Sequence, residues 1–331
     1  MLENLIGGAA LIVSFLVTVF LTKSWIKITK RINLVGKDMN KVNGKDIAEA
    51  GGIGVVLAFS ISILFFIFFK TFYMQTETHL VFLLATITTV LLIGLLGFID
   101  DILGWKVGMR QMNKFLLTIP IALPLMVVNA GVSVMSIPFI GPVELGIFYP
   151  LLIVPIGIIG AANGFNLVAG FNSLEAGMGV IILSTLGFVA WTTGVLWVSL
   201  IAFSAVFALL GFLVYNRYPS KVFPGDTLTY SVGALIAIVA ILGNMEKIAV
   251  ILFIPYFIEF ILKLRSKLKA ESFGIPDENN TLKPKYEKNY SLNHVVMRYF
   301  PSLFGRDLKE YEVVGIIFLF ELILVGVALL I

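Results

Sequence analysis

The sequence predicts an all-α polytopic membrane protein, with about ten transmembrane helices and one small extracytoplasmic β-hairpin. Three observations lead to this fold class. Apolar residues make up 59% of the chain and charged residues only 13%, whereas a soluble domain carries about 25% charged residues. The mean hydropathy of the chain, +0.99, is too high for a protein whose whole surface faces water. The apolar residues are also gathered into stretches close to the roughly 20 residues that cross a bilayer as a helix.

Ten predicted spans follow one another along the chain. They lie at 3–22, 52–69, 80–98, 111–129, 150–168, 176–194, 197–215, 227–243, 247–263 and 313–331. The span at 150–168 is the weakest helix, because it contains Pro150, Pro155, Gly157 and Gly160. The first span has no basic segment before it and no small-residue cleavage site after it. We therefore predict a retained helix rather than a signal peptide.

Lysine and arginine are sorted to one side of this arrangement. With ten spans, 22 of the 24 fall at the ends or in the loops that follow odd-numbered spans, and only Lys70 and Lys247 fall on the other side. Because cytoplasmic loops are enriched in Lys and Arg, we predict that these loops are cytoplasmic and that both termini are extracytoplasmic. The whole chain, 1–331, is treated as a single membrane domain with one large cytoplasmic loop at 264–312.

One outer loop has the pattern of a β-hairpin. Residues 131–149 alternate in β-prone side chains around Ile140, Gly141 and Pro142. We expect this hairpin to lie on the extracytoplasmic surface.

The composition also excludes several kinds of site. The chain has no cysteine, which excludes disulfides, thiolate metal sites and cysteine nucleophiles. It has only two histidines, His79 and His294, so a multi-histidine metal site is excluded as well. The net charge of +4 gives no indication of nucleic-acid binding, and none is predicted.

Two adjacent carboxylates, Asp100 and Asp101, close the third span. Adjacent carboxylates repel each other, so a pair at a membrane boundary needs a compensating cation or proton. Mg²⁺ together with phosphate is the natural candidate, because Mg²⁺ takes one or two carboxylates plus phosphate oxygens. A solvated helix end is the alternative interpretation.

Two further polar clusters lie at the same predicted face. Segment 163–177 contains Asn163, Asn166 and Asn172 among three glycines. Glycines let the backbone approach a ligand, and amides can bind a hard cation or donate to a nucleotide. A capped tight turn is the alternative there. Segment 215–227 brings Asp226 to the start of the eighth span, where an aspartate is also a preferred N-cap.

Basic residues accompany these clusters. Lys114 lies one turn into the fourth span, and Arg217 and Lys221 lie within the third cluster. Carboxylates, amides, glycines and cations at one face suit a metal-dependent reaction between a soluble nucleotide compound and a lipid phosphate.

A secondary transporter is the competing hypothesis, because transporters also combine membrane helices with polar sites. Transporters place those sites near the bilayer midplane, and here Glu321 is the clear mid-depth carboxylate. We expect Glu321 to pair within the helix bundle. His294 and Arg298, four residues apart, are interpreted as a surface pair.

At these clusters the sequence resembles the polyprenyl-phosphate N-acetylhexosamine-1-phosphate transferases, and among them the dolichyl-phosphate branch that uses UDP-GlcNAc. The resemblance covers most of residues 36–263. The matching segments are 36–41, 49–52, 100–101, 163–177 and 215–227.

The resemblance implies transfer of N-acetylglucosamine-1-phosphate from UDP-GlcNAc to a dolichyl or polyprenyl phosphate, with release of UMP. This reaction is the first step in assembling the lipid-linked oligosaccharide of N-glycans. It implies Mg²⁺ as cofactor, with Mn²⁺ as an alternative, and a homodimer is compatible with it. The implied metal ligands are Asp226 and Asn166, and the implied catalytic residues are Asp100, Asp101 and Lys114. The implied substrate-binding residues are Glu49, Asn163, Gly170, Asn172 and Phe223. Of these, Glu49, Gly170, Asn172 and Phe223 would line the pocket for the nucleotide sugar, and Lys114 would contact phosphate.

The last inner loop departs from the family in two ways. Bacterial members carry a histidine-rich motif there, which the solitary His294 does not supply. The eukaryotic dolichol enzyme has an Arg/His/Pro-rich segment, whereas the matching stretch here, 273–279, is acidic. The N-acetylhexosamine is therefore left open, and a different UDP-N-acetylhexosamine is the alternative donor. An archaeal counterpart, located in the cell membrane, fits both departures.

Overall fold

A computed structural model describes residues 2–42, 44–104, 108, 111–137 and 141–330. Within these residues seven helices are each long and apolar enough to cross a membrane, and they span Leu2–Arg31, Gly52–Phe72, Leu80–Leu103, Leu174–Thr192, Leu196–Asn216, Gly225–Leu242 and Glu310–Leu329. The protein is therefore a multi-pass membrane protein, while the count of ten spans, the single domain and the orientation stay predictions. The helices in chain order are α1 (Leu2–Arg31), α2 (Gly52–Phe72), α3 (Leu80–Leu103), α4 (Gln111–Thr118), α5 (Leu123–Val127), α6 (Val154–Phe165), α7 (Leu174–Thr192), α8 (Leu196–Asn216), α9 (Gly225–Leu242), α10 (Glu246–Leu252), α11 (Ile254–Leu264), α12 (Leu292–Tyr299), α13 (Pro301–Phe304) and α14 (Glu310–Leu329).

Three predicted spans are not continuous α-helices. The span at 111–129 is divided into α4, a 3₁₀ turn and α5, and the span at 150–168 begins with a π-helical turn before α6. The span at 247–263 is divided into α10 and α11. Each interruption coincides with a proline, at Pro120, Pro150 and Pro255. Proline lacks the N–H of the helical ladder and clashes with the preceding turn.

Other helices run beyond the predicted spans. α1 continues to Arg31, and α3 continues to Leu103, so Asp100 and Asp101 lie inside its last turns. α14 begins at Glu310 rather than at 313. Hydropathy marks only the apolar part of a helix, whereas the backbone ladder continues through polar residues until a cap or a turn ends it.

The strands form three small antiparallel sheets. β1 (Val35–Lys37) pairs with β2 (Asp46–Ala48), and β3 (Val134–Ile137) pairs with β4 (Gly141–Glu144). β3 and β4 lie in the segment predicted to form a hairpin, and its location outside the membrane stays a prediction. Its predicted turn residue Ile140 lies outside the described residues, as do Lys106 and Arg110 of the charge count. In loop 264–312, β6 (Thr281–Pro284) pairs with both β5 (Gly274–Pro276) and β7 (Leu308–Lys309).

α9 is the central helix of the bundle. Every residue from Thr227 to Ile241 is buried, and α2, α3, α6, α7 and α8 all pack against this helix. Glycines allow close approaches to this helix. A Cβ at Gly97 of α3 would lie 2.6 Å from the amide nitrogen of Thr227, and a Cβ at Gly233 would lie 2.7 Å from Cα of Ala162 in α6. The end of α3 is thereby held against the start of α9, and the last turn of α6 is held against the middle of α9.

We predict that Gly233→Ala lowers the melting temperature of the protein in detergent, because the added methyl group collides with the α6 backbone. Overpacking of this kind costs about 1–3 kcal/mol. Gly157→Ala on α6 is the matched control, because its Cβ would meet only Ile241 Cδ1, at 3.6 Å, an ordinary contact. Equal melting temperatures for Gly233→Ala and Gly157→Ala would show that the α6–α9 contact is looser than described.

Candidate active site

The start of α9 is capped by a carboxylate from another helix. Asp101, in the last turn of α3, accepts the backbone N–H of Asp226 at 2.7 Å and that of Thr227 at 3.1 Å. It also accepts the hydroxyl of Thr227 at 2.6 Å. The first N–H groups of a helix have no partner within the helix and carry partial positive charge, so a carboxylate there is stabilising.

Asp226 is therefore not the cap of its own helix. No side chain at the N-cap position of α9 bonds to the helix, and the side chain of Asp226 points to Lys114 instead. The capping interpretation of Asp226 is wrong for this structure. Sequence alone could not reveal this, because Asp101 lies far from Asp226 along the chain.

Lys114 joins two carboxylates from different helices. Its Nζ lies 2.5 Å from Asp100 Oδ2 and 2.5 Å from Asp226 Oδ2, and 6.0 Å from the centre of the Tyr230 ring. We call these four residues the Lys114 cluster. The Asp100 and Asp226 side chains keep 13% and 22% of their surface exposed. Two carboxylates thus share one ammonium group and remain open to an incoming ligand.

The predicted amide residues lie one turn further along α9. Asn166, directly after α6, accepts the hydroxyl of Thr229 at 2.7 Å, and the same hydroxyl lies 3.3 Å from the carbonyl oxygen of Asp226. Asn163 accepts the Tyr230 hydroxyl at 3.5 Å. Both amides therefore face the helix turn that carries Asp226.

The donor atoms around Asp226 suit a hard cation. Carboxylate and amide oxygens are the ligands that Mg²⁺ takes, and Mg²⁺ commonly adds substrate phosphate and water to one or two carboxylates. In the part of the chain that the structure describes, no three His, Cys, Asp or Glu side chains are grouped to hold a metal. The carboxylate of Asp226 and the amide oxygen of Asn166 are of the donor types that fit a magnesium ion.

Glu49 and Phe223 are held at the edge of the same site. The backbone N–H of Phe223 donates to Ala48 of β2 at 2.8 Å, and its carbonyl accepts the N–H of Gly51 at 2.9 Å. The indole of Trp25 donates to the carbonyl of Glu49 at 2.9 Å. Burial, and then the charge of nearby Asp226, raise the pKa of Glu49 to about 7. Near neutral pH this carboxyl can therefore both accept and donate a hydrogen bond.

Gly170 and Asn172 lie in the turn between α6 and α7. Gly170 has φ +102°, a conformation that L side chains rarely adopt, and its N–H donates to Glu175 at 2.9 Å. Asn172 is buried, and its amide oxygen accepts from Ser220 N–H at 2.7 Å and from Lys41 at 2.9 Å. Asn172 thus holds loops together through hydrogen bonds. Its contact with substrate stays a prediction.

Three side chains that contact Asn172 were not predicted to belong to the site: Asp38, Lys41 and Glu310. Asp38 and Lys41 stand in the matched segment 36–41, and Glu310 resembles an ordinary acidic residue at a helix start. Their side chains meet in the structure. No sequence signal reports this, because the residues come from opposite ends of the chain.

The expected surface pair of His294 and Arg298 is also wrong. His294 is buried, and its ring nitrogens lie 3.4 Å from the N–H of Tyr290 and 3.3 Å from the carbonyl of Phe273. Burial lowers the pKa of His294. Arg298 binds carbonyl groups of the preceding segment. Both side chains fasten the loop 264–312 rather than pair with each other.

Glu321 differs from expectation as well. It is fully buried in α14, yet neither carboxylate oxygen has a hydrogen-bond partner among the described residues. Helical periodicity places Glu321 inside the bundle but cannot say which neighbour faces it.

Comparisons with known proteins identify the family of this chain. Residues 83–244 match the family model described as glycosyl transferase family 4. A Saccharolobus solfataricus protein, provisionally named as a UDP-N-acetylglucosamine–dolichyl-phosphate N-acetylglucosaminephosphotransferase, is 40% identical over 97% of this chain and 95% of its own. A Dictyostelium discoideum protein with the same enzyme name is 31% identical over 78% of this chain and 71% of its own. A phospho-N-acetylmuramoyl-pentapeptide-transferase of Halalkalibacterium halodurans is 32% identical over 73% of this chain and 76% of its own.

We predict that Asp101→Ala lowers the free energy of unfolding by about 1–3 kcal/mol, because it leaves buried N–H groups at the start of α9 without an acceptor. Thr227→Val removes only the hydroxyl contact and should cost less. Thermal melts of both purified variants give the comparison. A melting temperature for Asp101→Ala at or above that of Thr227→Val would contradict the capping role.

Proposed function

The chain belongs to glycosyl transferase family 4, and on that basis we propose that it transfers N-acetylglucosamine-1-phosphate from UDP-GlcNAc to a dolichyl or polyprenyl phosphate in the membrane. UMP is the second product, and the lipid product begins the oligosaccharide of N-glycans. The names of the Saccharolobus and Dictyostelium relatives support this donor and acceptor.

The observation that carries the proposal is the Lys114 cluster. Both reactants are anionic, so they repel each other unless cations lie between them. Phosphoryl transfer depends mainly on positioning and on electrostatic stabilisation. Lys114, held between Asp100 and Asp226, presents an ammonium group that can contact a phosphate oxygen. Asp226 and Asn166 would hold Mg²⁺, or Mn²⁺ in its place, which when bound would neutralise charge on the diphosphate.

The bond changes follow from the two phosphates. An oxygen of the lipid phosphate attacks the β-phosphorus of UDP-GlcNAc, and the bond from that phosphorus to the bridging oxygen breaks. UMP leaves with the bridging oxygen and its electron pair. The second pKa of a phosphate monoester is about 6, so the nucleophile is already largely deprotonated at neutral pH. Orientation by Lys114 and Asp100 therefore contributes more than a strong base would.

Asp101 contributes indirectly in this mechanism. Its two oxygens accept the hydrogen bonds of Asp226 and Thr227 and so fix the direction of the Asp226 carboxylate. A direct catalytic role for Asp101 stays a prediction. We place the site at the cytoplasmic face on the charge distribution alone, and a homodimer is compatible with this arrangement.

The transporter hypothesis has less support than the transferase. The Lys114 cluster lies at the end of α3 and the start of α9, whereas transporters place their binding groups near the midplane.

We predict that the purified protein releases UMP from UDP-GlcNAc only when lipid phosphate is present. Chelation of divalent metal should abolish the reaction, and added Mg²⁺ should restore it. UDP-MurNAc-pentapeptide should give no product under the same conditions. Robust turnover of the muramyl compound would place the chain with the cell-wall enzymes. Faster turnover of another UDP-N-acetylhexosamine would show that this compound, rather than UDP-GlcNAc, is the preferred donor.

We predict that Asp226→Asn lowers turnover by about 10² to 10³ and leaves the melting temperature nearly unchanged. Removing one phosphoryl-stabilising contact typically costs that much in rate, while the cap of α9 comes from Asp101 and survives. Asp226→Ala, assayed alongside, should be as inactive. Near-wild-type activity of the Asn variant at ordinary Mg²⁺ would remove Asp226 from the metal site.

A further inference from the structure

A second charged cluster lies where the turn after β1, the loop after α8 and the start of α14 meet, and it has the same composition as the Lys114 cluster. The Nζ of Lys41 contacts the carboxylate of Asp38, lies 3.1 Å from Glu310 Oε2, and lies 4.6 Å from the centre of the Tyr218 ring. We call these four residues the Lys41 cluster. Each cluster therefore has two carboxylates, one lysine and a tyrosine ring.

The two clusters differ in access. The side chains of Asp38 and Glu310 are only 4% and 1% exposed, against 13% and 22% for Asp100 and Asp226. A substrate phosphate cannot reach carboxylates that are sealed in this way. The two carboxylates of the Lys41 cluster therefore act on the structure around them rather than on a ligand directly.

Asn172 is the point at which this cluster connects the loops. Its backbone N–H donates to Glu310 Oε1 at 2.6 Å, and its amide nitrogen donates to Asp38 Oδ2 at 3.2 Å. Its amide oxygen accepts from Lys41 at 2.9 Å and from Ser220 N–H at 2.7 Å. Four separate segments meet at one residue: the turn after β1, the turn before α7, the loop after α8 and the start of α14.

The neighbours of the Lys41 cluster belong to two segments that the resemblance implies in substrate binding. Asn40, in the turn after β1, donates to the carbonyl of Gly170 at 2.8 Å and accepts the N–H of Gly274 at 3.1 Å. Ser220 stands three residues before Phe223. Gly170 and Phe223 are the residues assigned to the nucleotide sugar. Lys114, assigned to phosphate, pairs instead with Asp100 and Asp226.

We propose that Glu310 is a positioning residue for the nucleotide-sugar half of the active site. By pairing with Lys41 and accepting the N–H of Asn172, it fixes the turn that carries Gly170 relative to the segment that carries Phe223. This inference rests on the proposed function, since it assigns that half of the site to UDP-GlcNAc.

The charge balance selects the variants for a test. Lys41→Met leaves two buried carboxylates without a cation, a change that strongly destabilises the folded protein. Glu310→Gln leaves one carboxylate with one ammonium group and keeps an oxygen that can accept from Asn172. Glu310→Ala removes both interactions and leaves the N–H of Asn172 without its acceptor. The two Glu310 variants therefore form a graded pair.

A matched control lies two residues along the same helix. Glu312 pairs with the exposed Arg306 at 2.6 Å and has no contact with Asn172 among the described residues. Exposed ion pairs contribute little, so Glu312→Gln should behave as wild type.

The experiment measures UMP release while UDP-GlcNAc and lipid phosphate are varied separately. Glu310→Ala should raise the KM for UDP-GlcNAc about tenfold or more, the scale expected for losing a hydrogen bond to a charged group. Glu310→Gln should give a smaller increase. The KM for lipid phosphate and the kcat at saturation should stay within about twofold, the pattern of lost substrate binding without lost chemistry.

Other results would overturn the proposal. A folded Glu310→Ala with unchanged KM for UDP-GlcNAc, or with both KM values raised equally, would leave Glu310 a purely structural residue. If Glu310→Ala does not fold, Glu310→Gln decides by the same criterion. The ion pair of Lys41 and Glu310 is checked with the double variant Lys41→Met/Glu310→Gln. Its melting temperature should be higher than that of Lys41→Met alone.

Failure of the proposed function gives a different result. In that case wild type itself releases no UMP from UDP-GlcNAc. The positioning role is then tested by equilibrium binding of UDP, whose affinity should fall from wild type to Glu310→Gln to Glu310→Ala. Equal UDP affinity in all three proteins would overturn it.

Discussion

The end of α3 and the start of α9 meet where the carboxylate of Asp101 accepts three hydrogen bonds from Asp226 and Thr227. Two carboxylates at the C-terminal end of a helix are disfavoured, because the partial charge there is negative. The N-terminal end of α9 supplies partial positive charge and unpaired N–H groups at the same place. The contact therefore stabilises Asp101 and fixes the backbone that carries Asp226. Gly97 makes it possible, because any larger side chain would collide with this backbone.

The remainder of the candidate active site is arranged around that contact. α4 brings Lys114 to the two carboxylates, and α6 ends so that Asn166 faces the next turn of α9. Side chains from α3, α4, the end of α6 and α9 itself thus come together at the start of the buried helix α9.

Two clusters of the same composition differ in how far their carboxylates are exposed. In the Lys114 cluster the carboxylates stay partly exposed, so a ligand can reach them. In the Lys41 cluster they are sealed and hydrogen-bonded to Asn172, so they hold loops together. A buried ion pair adds little net stability compared with apolar packing, but removing one of its two partners strongly destabilises the fold. A buried ion pair is therefore suited to hold several loops in one fixed arrangement.

The sequence by itself determined the membrane class, the place of the long apolar helices and the residue types of the site. Hydropathy and charge are properties of each segment of the chain. They therefore indicate whether a segment is buried in the membrane, but not which other segments it contacts. Asp100 and Asp101 stood out because adjacent carboxylates at a helix end need a partner, whereas the resemblance to a known family implied the site roles of Asp226 and Lys114. Only the tertiary structure decided which partner each one has: Asp101 caps a helix that is not its own, and Asn172 braces loops. Those contacts join residues far apart in the chain, and their geometry exists only once α9 is packed among its neighbours.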